Sequence, residues 1–333
     1  SETEKYFEYH VSLDPSQLEV GMQHIAEKLE TDVTLENGQT VKVTWYQFKI
    51  PIKGSEVRAV GNIRNYRSIR FMRMYMTGCK QATHLRFATL ELVRGDWRNY
   101  TKGLYYNALT SQHNTILPGS NALLDVQAVN IEENGARLPI NYVLPPGISR
   151  QTDPGQAQLI AQNEQALVLN VNHLQHNDAL AVYKNITFDL RNYKRLKMFV
   201  HAEAIASDPE NEQIQDGDLS CFIRLGSDLK NNYYEYEIPL QLTQPGVYNN
   251  DNDRDRALVW PAENEFDFPL SVFTDAKMAR NKAKRAGDQT VGNAIPYIVY
   301  DVENGRPNNK VTVIGNPTLG EIETVMIGVR NRK

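Results

Sequence analysis

The feature that most constrains this chain is a stretch of sequence that it uses twice. Residues 64–76 read RNYRSIRFMRMYM, and residues 191–203 read RNYKRLKMFVHAE. Ile69 in the first copy corresponds to Leu196 in the second. A repeat spaced by the length of a domain excludes a solenoid, whose units are about 20–50 residues long. In a chain of 333 residues it predicts two domains of related structure.

The two copies continue beyond this stretch. The first goes on to LRFATLELVRGDWRNY and the second to LSCFIRLGSDLKNNYYEYEIPL, so that Phe87 and Leu90 match Phe222 and Leu225. A longer acidic loop, ASDPENEQIQDGD, separates the two parts in the second copy. Surface loops tolerate such changes of length at little entropic cost, so the correspondence extends over several strands.

Short runs of alternating or β-branched and aromatic residues fill most of the chain, for example VKVTWYQFKIPI, IRFMRMYM, YYEYEIPLQL and KVTVIGN. Asn-Gly and Asp-Gly pairs between them indicate turns. The pattern predicts a mainly β protein made of two tandem jelly-roll-like antiparallel β-sandwiches with a few short helices. The helices are expected at 16–29, about 273–286 and, as a short third one, within 151–165.

The domain boundaries follow from the repeat and from a proline-containing stretch, LPINYVLPPGISRQTDPG, which is typical of a linker. We expect an N-terminal strand and helix extension at 1–39, a first repeat at 40–145, a linker at 146–159 and a second repeat at 160–333. Ile69 and Leu196 are expected to be core residues of equivalent strands, because Leu196 begins an inward-facing set of apolar side chains and Ile69 takes its position in the first copy.

Composition limits the classes of partner. The net charge of −4 gives no electrostatic reason to expect a nucleic acid, and the one basic cluster, KMARNKAKRA, is expected to be a solvated helix face. No run is apolar enough to span a bilayer as a helix. The start, SETEKYFEYH, lacks both an initiator Met and a signal-peptide pattern, so we expect a piece of a larger protein. Cys79 and Cys221 are expected to be buried free thiols, with a disulfide between them as the alternative.

Catalytic and metal-binding motifs are missing from the sequence. It has no Walker A loop, no nucleophile elbow and no zincin motif, so we expect no enzymatic activity. Glu235 and Glu237 alternate along a strand, which is typical of a solvent face and not of a glycosidase pair. Asp251, Asp253 and Asp255 have the spacing of a calcium loop. Arg256, however, follows at the position where such a loop requires Gly, which favours a solvated loop.

Aromatic residues are the remaining candidates for a binding surface. They cluster at corresponding places in the two copies, at Trp97, Tyr105 and Tyr106 and at Tyr233 and Tyr234. Such rings can stack on sugars or anchor a protein contact, and they can equally belong to the core. Lys282 and Arg285 of the basic helix complete the candidate set for binding a protein or a glycan.

Several long segments resemble a known family. They are RSIRFMRMYMTG, LRFATLELVRGDWRNY, INYVLPPGISR, YKRLKMFVHAEA, FIRLGSDLKNNYYEYEIPL, VWPAENEFDFPL and GNPTLGEIETVMIGVRN. Together they cover most of the chain from about residue 40 and are similar to the SprA/Sov family. Members of this family are outer-membrane translocons of the type IX secretion system and are linked to gliding motility.

The resemblance implies a very large single-chain β-barrel that passes folded proteins across the bacterial outer membrane. It implies shuttle and plug proteins of the secretion system and secreted cargo as partners, no cofactor, and no catalytic residue to carry over. Charges on both faces of one strand, Arg86 and Glu91, and a mean hydropathy of −0.51 indicate that this chain is an extramembrane part. Both the periplasmic and the cell-surface side stay open.

The sequence therefore predicts a non-catalytic scaffold or docking surface for partner subunits and secreted proteins. The alternative is a carbohydrate-binding surface module, a function that jelly rolls often have. Fold alone does not decide between the two.

Overall fold

The computed structural model of the protein describes residues 4–19, 22–35, 37–52, 57–64, 66, 69–80, 82–92, 97–101, 103–107, 112–115, 121–150, 163–204 and 214–333. The contacts between residues divide the chain into two compact units, 1–93 and 94–333. Antiparallel β-strands dominate, so the prediction of a mainly β protein is confirmed. The jelly-roll arrangement is not confirmed, and the predicted pair of repeats divided at 146–159 stays a prediction.

The strands of the first unit are β1 (Tyr6–Glu8), β2 (Ile25–Thr34), β3 (Thr40–Phe48) and β4 (Arg58–Val60). β1 pairs with β4, and β2 pairs with β3, both antiparallel. The turn between β2 and β3 contains Gly38 at φ +80°, a conformation that glycine adopts without a steric cost. The Asn-Gly pair predicts this turn.

The helix predicted over residues 16–29 is wrong. The chain makes a single 3-10 turn, Pro15–Gln17, capped by the side chain of Asp14, and then enters β2. Leu29 stands opposite Trp45 across the β2–β3 hairpin. The spacing of the apolar residues fits a helix over this short window, but cross-strand pairs of this kind stabilise the hairpin.

The segments predicted as the first-copy strands, 69–76 and 85–93, do not form strands in the part that the structure describes, 69–76 and 85–92. The expectation that Ile69 is a core residue is wrong, since its exposed fraction is 52%. An alternating sequence forms a strand only where a neighbouring strand satisfies its backbone groups. No such neighbour pairs with either segment among the described residues.

The second unit contains three helices and thirteen strands among its described residues. The elements are β5 (Arg98–Asn99), β6 (Tyr105–Asn107), β7 (Gln112–Thr115), β8 (Leu123–Asn130), α1 (Ile131–Asn134), β9 (Gln165–Asn172), β10 (Ala179–Phe188), β11 (Arg195–Met198), β12 (Leu219–Gly226), β13 (Tyr233–Pro239), α2 (Asp253–Val259), β14 (Phe266–Pro269), α3 (Ser271–Arg285), β15 (Tyr297–Asp301), β16 (Arg306–Ile314) and β17 (Ile322–Asn331).

A seven-stranded antiparallel sheet organises this unit, in the order β15-β16-β13-β12-β17-β10-β5. The pairs β6–β7, β8–β9 and β11–β14 form separate two-stranded sheets. The predicted helix at about 273–286 is confirmed as α3, whereas the short helix expected within 151–165 lies mostly outside the described residues. The Asp-Gly and Asn-Gly turns at 216–217 and 304–305 are confirmed, each with its glycine at positive φ.

The main core lies between one face of this sheet, helix α3 and the β11–β14 pair. Tyr236 stacks on Phe268 of β14 at 3.8 Å between ring centroids, and Tyr234 stacks on Phe273 of α3 at 5.0 Å. Leu196 is partly buried against this core, as the sequence predicts. Alternation along β13 sends Tyr233, Glu235 and Glu237 to the other face of the sheet.

A second cluster includes part of the proline-containing stretch, just before the linker predicted at 146–159. Residues 140–144 of the proline-containing stretch are buried and pack against Val259 and Trp260. The Trp260 indole Nε1 donates to the carbonyl of Val143 at 2.9 Å. These residues are core and not a free connection. The part of the linker at 151–159 lies outside the described residues.

Candidate docking surface on helix α3

Helix α3 has a buried and an exposed face, and the sequence separates them. Phe273, Ala276 and Arg280 recur at helical spacing and are buried against the sheet. Lys282 and Arg285, which the sequence analysis selects, lie in the last turn and are exposed, together with Lys284. Cations at this end of a helix interact favourably with the partial negative charge of its last carbonyls.

None of the cations of α3 has a carboxylate within ion-pair distance among the described residues. They are Lys277, Arg280, Lys282, Lys284 and Arg285. The chain as a whole carries a net charge of −4, whereas these five cations lie within one helix of 15 residues. Such a surface attracts carboxylates and other anionic groups over a distance of about 10 Å at moderate salt.

Arg280 places part of this charge inside the protein. Its side chain is 1% exposed, and its Nε and Nη1 have no hydrogen-bond partner in the part of the chain that the structure describes. Its Nη2 reaches only the Oδ1 of Asn281, at 3.4 Å. Burial lowers the pKa of Arg280, and the neighbouring phenol of Tyr234 opposes that shift. A buried guanidinium without an anion is costly, so Arg280 does not stabilise the core as an ion pair does.

Lys277 lies one turn before Arg280 and has a neutral partner. Its Nζ donates to the carbonyl of Pro317 at 2.7 Å, which also accepts from the hydroxyl of Tyr234 at 2.9 Å. Burial and then the charge of Arg280 lower the pKa of Lys277. The two cations therefore repel each other in the middle of the helix, and no carboxylate in the described ranges pairs with either of them.

Tyr233 and Tyr234 are not exposed anchors, which corrects their selection from the sequence. Each side chain is about 1% exposed. Burial raises the pKa of both phenols to about 12. Tyr233 lies under the guanidinium of Arg224, with 3.8 Å between that group and its ring centroid. The assignment to the core, which the sequence left open, applies to both, and it removes two of the rings on which a sugar could stack.

The other predicted aromatics are only partly described. Trp97 is half-buried and directly precedes β5. Tyr105 and Tyr106 lie in β6, paired with β7, and their side chains lie outside the description. The structure does not bring Trp97 together with the cations of α3 through any described contact.

The calcium candidates belong to the start of helix α2. Asn252 caps this helix, and Asp253 and Asp255 lie in its first turn, where acidic residues favour the helix. A carboxylate oxygen of Asp255 accepts from the backbone N of Asn249 at 2.8 Å. Within the described ranges no group of three His, Cys, Asp or Glu side chains is arranged to hold a metal ion.

Both cysteines are free thiols. Cys221 is buried, as expected, and its burial raises the pKa of the thiol to about 12. Cys79 is exposed, which corrects the expectation that both are buried.

Sequence reasoning missed a charge network on the second face of the sheet. Glu235 and Glu237 are each 3% exposed and are not on a solvent face. Glu235 accepts from Nε and Nη2 of Arg224 at 2.9 and 2.6 Å and from Arg330 at 3.1 Å. Glu237 pairs with Arg330 and with Lys310.

The electrostatics of this network keep Glu235 ionised. Burial alone would raise the pKa of Glu235, but Arg330, Arg224 and Lys310 outweigh it and bring the pKa to about 2. A carboxylate held in this state is a poor general acid near neutral pH. The available signal was the placement of basic residues on strands β12, β16 and β17, which come together only in the fold.

All of the chain, residues 1–333, matches the family SprA_N, described as motility related/secretion protein. The chain belongs to this family. The resemblance of its segments to the SprA/Sov family is thereby confirmed, and a role in motility or secretion follows for this SprA_N chain. No curated protein matches the SprA_N chain. None of its helices in the described ranges is long and apolar enough to cross a membrane.

Proposed function

We propose that this SprA_N chain is a non-catalytic, extramembrane docking part of an outer-membrane protein-secretion translocon of the type IX system. It holds partner subunits and secreted proteins in place and supplies no chemical step. The partners in this proposal are the shuttle and plug proteins of the system and its cargo. The proposal rests on the family and on one observation, the unpaired positive charge of α3.

The cations of α3 suit an acidic partner surface. Lys282, Lys284 and Arg285 are exposed, and they belong to a helix that is fixed by Phe273 and Ala276 in the core. Positive charge on a rigid element steers an anionic partner and fixes its orientation. Long-range steering of this kind raises association rates by about 10–10³-fold at low salt.

Charge reversal on α3 tests this function. The double substitution Lys282→Glu and Arg285→Glu, made in the complete native protein, is expected to reduce cargo secretion and the recovery of partner subunits. Its effect on the association rate is expected to shrink as salt is added, because salt screens exposed charges. Both residues are exposed, so the fold is expected to persist, which circular dichroism checks.

Lys230→Glu is the matched control, since Lys230 is an exposed cation elsewhere in the second unit. It makes the same kind of charge change away from α3. Secretion and partner recovery that are the same in the α3 variant and in the control, at equal protein levels, would contradict a docking role for this helix.

A further inference from the structure

Two strand-like segments of the first unit pair with no strand among the described residues. Residues 69–76 and 85–92 carry large apolar side chains, yet neither belongs to a strand, and most of these side chains are exposed. The exposed fractions are Ile69 52%, Phe71 73%, Met72 56%, Met74 57%, Tyr75 67%, Met76 43%, Leu85 42%, Phe87 68%, Leu90 64% and Leu92 73%. Apolar surface of this extent marks an interaction site or a liability to aggregate.

Contacts of Tyr66 and of Tyr75 hold the first segment at two points, and the large apolar side chains between these points are exposed. Tyr66 donates its hydroxyl hydrogen to the carbonyl of Ile52, and its ring stacks on Phe7 of β1 at 4.1 Å. The hydroxyl of Tyr75 donates to Glu8, also in β1, at 2.8 Å. Residues 69–74 therefore run between two fixed ends.

The internal repeat shows what a segment of this sequence binds. In the second copy, Leu196 and Met198 of β11 stand opposite Phe268 and Phe266 of β14 and pack on the main core. Asp267 lies between these two phenylalanines along the strand. Its carboxylate pairs with Arg195 at 2.7 Å and with Lys197 at 3.2 Å.

The first copy presents the same groups without that neighbour. By the alignment of the repeat, Ile69, Arg70 and Phe71 take the positions of Leu196, Lys197 and Met198. Arg70 and Arg73 are exposed, and neither has an ion pair among the described residues.

The second segment leads to the same conclusion. Phe87 and Leu90 correspond to Phe222 and Leu225, which are buried in β12. β12 is paired on both sides, with β13 and with β17. In the first copy, both segments thus have the sequence of a sheet strand, but neither is buried as its counterpart in the second copy is.

We propose that residues 69–76 bind an antiparallel β-strand from a partner protein, with large apolar residues two positions apart and a carboxylate between them opposite Arg70. Backbone hydrogen bonds to the added strand would supply affinity, and the apolar and acidic side chains specificity. A second copy of this chain is a poorer occupant. If residues 69–76 of a second copy paired with the same segment, Arg70 and Arg73 of both copies would meet between the two strands, with no carboxylate to neutralise them. Like charges across a strand pair are destabilising.

A peptide with the sequence of residues 263–270, ENEFDFPL, is the probe, because it contains the strand that β11 binds. The complete 333-residue chain is titrated with the labelled peptide, and binding is followed by fluorescence anisotropy. We expect binding in the micromolar to millimolar range. Hydrogen exchange is expected to show new protection of the amides in 69–76, because strand addition forms backbone hydrogen bonds.

The variants separate strand addition from unspecific adhesion. Arg70→Glu is expected to weaken binding about fivefold or more, and a peptide with Arg in place of its central Asp is expected to restore it. Phe71→Ser is expected to abolish binding. Lys80→Glu, an exposed cation beyond the segment, is the matched control and is expected to change nothing.

Three results would overturn the proposal. They are no binding at millimolar peptide, equal binding of a scrambled peptide, and a dimer of the chain that Phe71→Ser dissolves, which would assign the surface to a second copy. The α3 charge reversal is expected to leave peptide binding intact. Failure of this proposal is therefore separable from failure of the docking role of α3.

Discussion

Two buried arginines of the second unit are expected to respond in opposite ways to the same substitution. Arg224 and Arg280 are 2% and 1% exposed. Arg224 has a complete set of partners, namely two bonds to Glu235, a bond to the carbonyl of Leu229 at 2.6 Å, and the ring of Tyr233. Among the described residues, the only hydrogen bond of the Arg280 guanidinium is the long contact to Asn281.

Methionine replaces either side chain at similar length and without charge. Removing one member of a buried ion pair costs about 3–5 kcal/mol, because the other charge stays buried. In Arg224→Met, Glu235 keeps Arg330 at 3.1 Å, so we expect the lower end, about 3 kcal/mol of lost stability. In Arg280→Met no anion is left behind, and removing an unpaired buried charge is expected to be neutral or to stabilise by about 1–2 kcal/mol.

Thermal and urea unfolding of the two variants measure the difference. A change of 1 kcal/mol moves the melting temperature by about 2–4 °C in a unit of this size. Arg224→Met is therefore expected to melt about 6–12 °C below the wild type, and Arg280→Met at or a few degrees above it. The urea m-value is expected to stay constant, because neither substitution changes the surface exposed on unfolding.

Replacing the pair together is the control for the assignment to Glu235. Arg224→Met with Glu235→Leu is expected to recover part of the stability that Arg224→Met loses, since no buried carboxylate lacks its partner. If Arg224→Met and Arg280→Met lower the free energy of unfolding equally, hydrogen-bond satisfaction does not distinguish the two sites. The reasoning would then be refuted.

Three further predictions concern the same unit. The folded state holds the pKa of Glu235 at about 2, below its ordinary value of 4.5. The contribution of Glu235 to the free energy of unfolding is therefore fully present above pH 4.5 and is expected to fall by on the order of 3 kcal/mol toward pH 2. Urea unfolding across pH measures this loss, which is expected to be smaller in Glu235→Gln. Gly328→Ala is expected to lower the free energy of unfolding by about 1–3 kcal/mol, because an added Cβ would lie 2.4 Å from Phe222 Cζ and 2.7 Å from Ala181 Cβ. Combining it with Phe222→Leu is expected to restore part of this stability, as measured by thermal unfolding. Trp260→Phe is expected to lower the free energy of unfolding by about 1–2 kcal/mol, because it removes the hydrogen bond to the carbonyl of Val143. Limited proteolysis within 140–150 is expected to become faster. Unchanged cleavage would contradict the core assignment of 140–144.

The sequence predicts a strand of the second unit best where apolar alternation is long and a partner strand lies close in the chain. β12 and β13 are an example, joined by a short turn and paired over seven positions from Ser220 to Gly226. The same reasoning fails for residues 16–29, where a few apolar residues fit both a helix and a strand. It fails again at 69–76, because a strand pattern states what a segment can pair with and not whether the partner is present.

The candidate site was predictable in part for the same reason. The basic turn of α3 is local, so Lys282 and Arg285 could be found from composition and helical spacing. The burial of Tyr233 and Glu235 depends on Arg224 of the neighbouring strand and on Arg330, which lies far away in sequence. Alternation assigns such residues to a face of the sheet, and only the fold determines what covers that face.

The two faces of the seven-stranded sheet support the docking role proposed for α3. On one face, aromatic stacking of Phe273 on Tyr234 fixes the helix to β13. On the other face, Arg224 and Arg330 join β12, β13 and β17 through Glu235. Ion pairs of this kind add little net stability, but they disfavour any sliding of one strand past another, because a shift would leave a buried charge unpaired. The exposed cations of α3 therefore project from a base whose register is fixed on both sides, and a rigid base lowers the entropy that is lost when a partner binds.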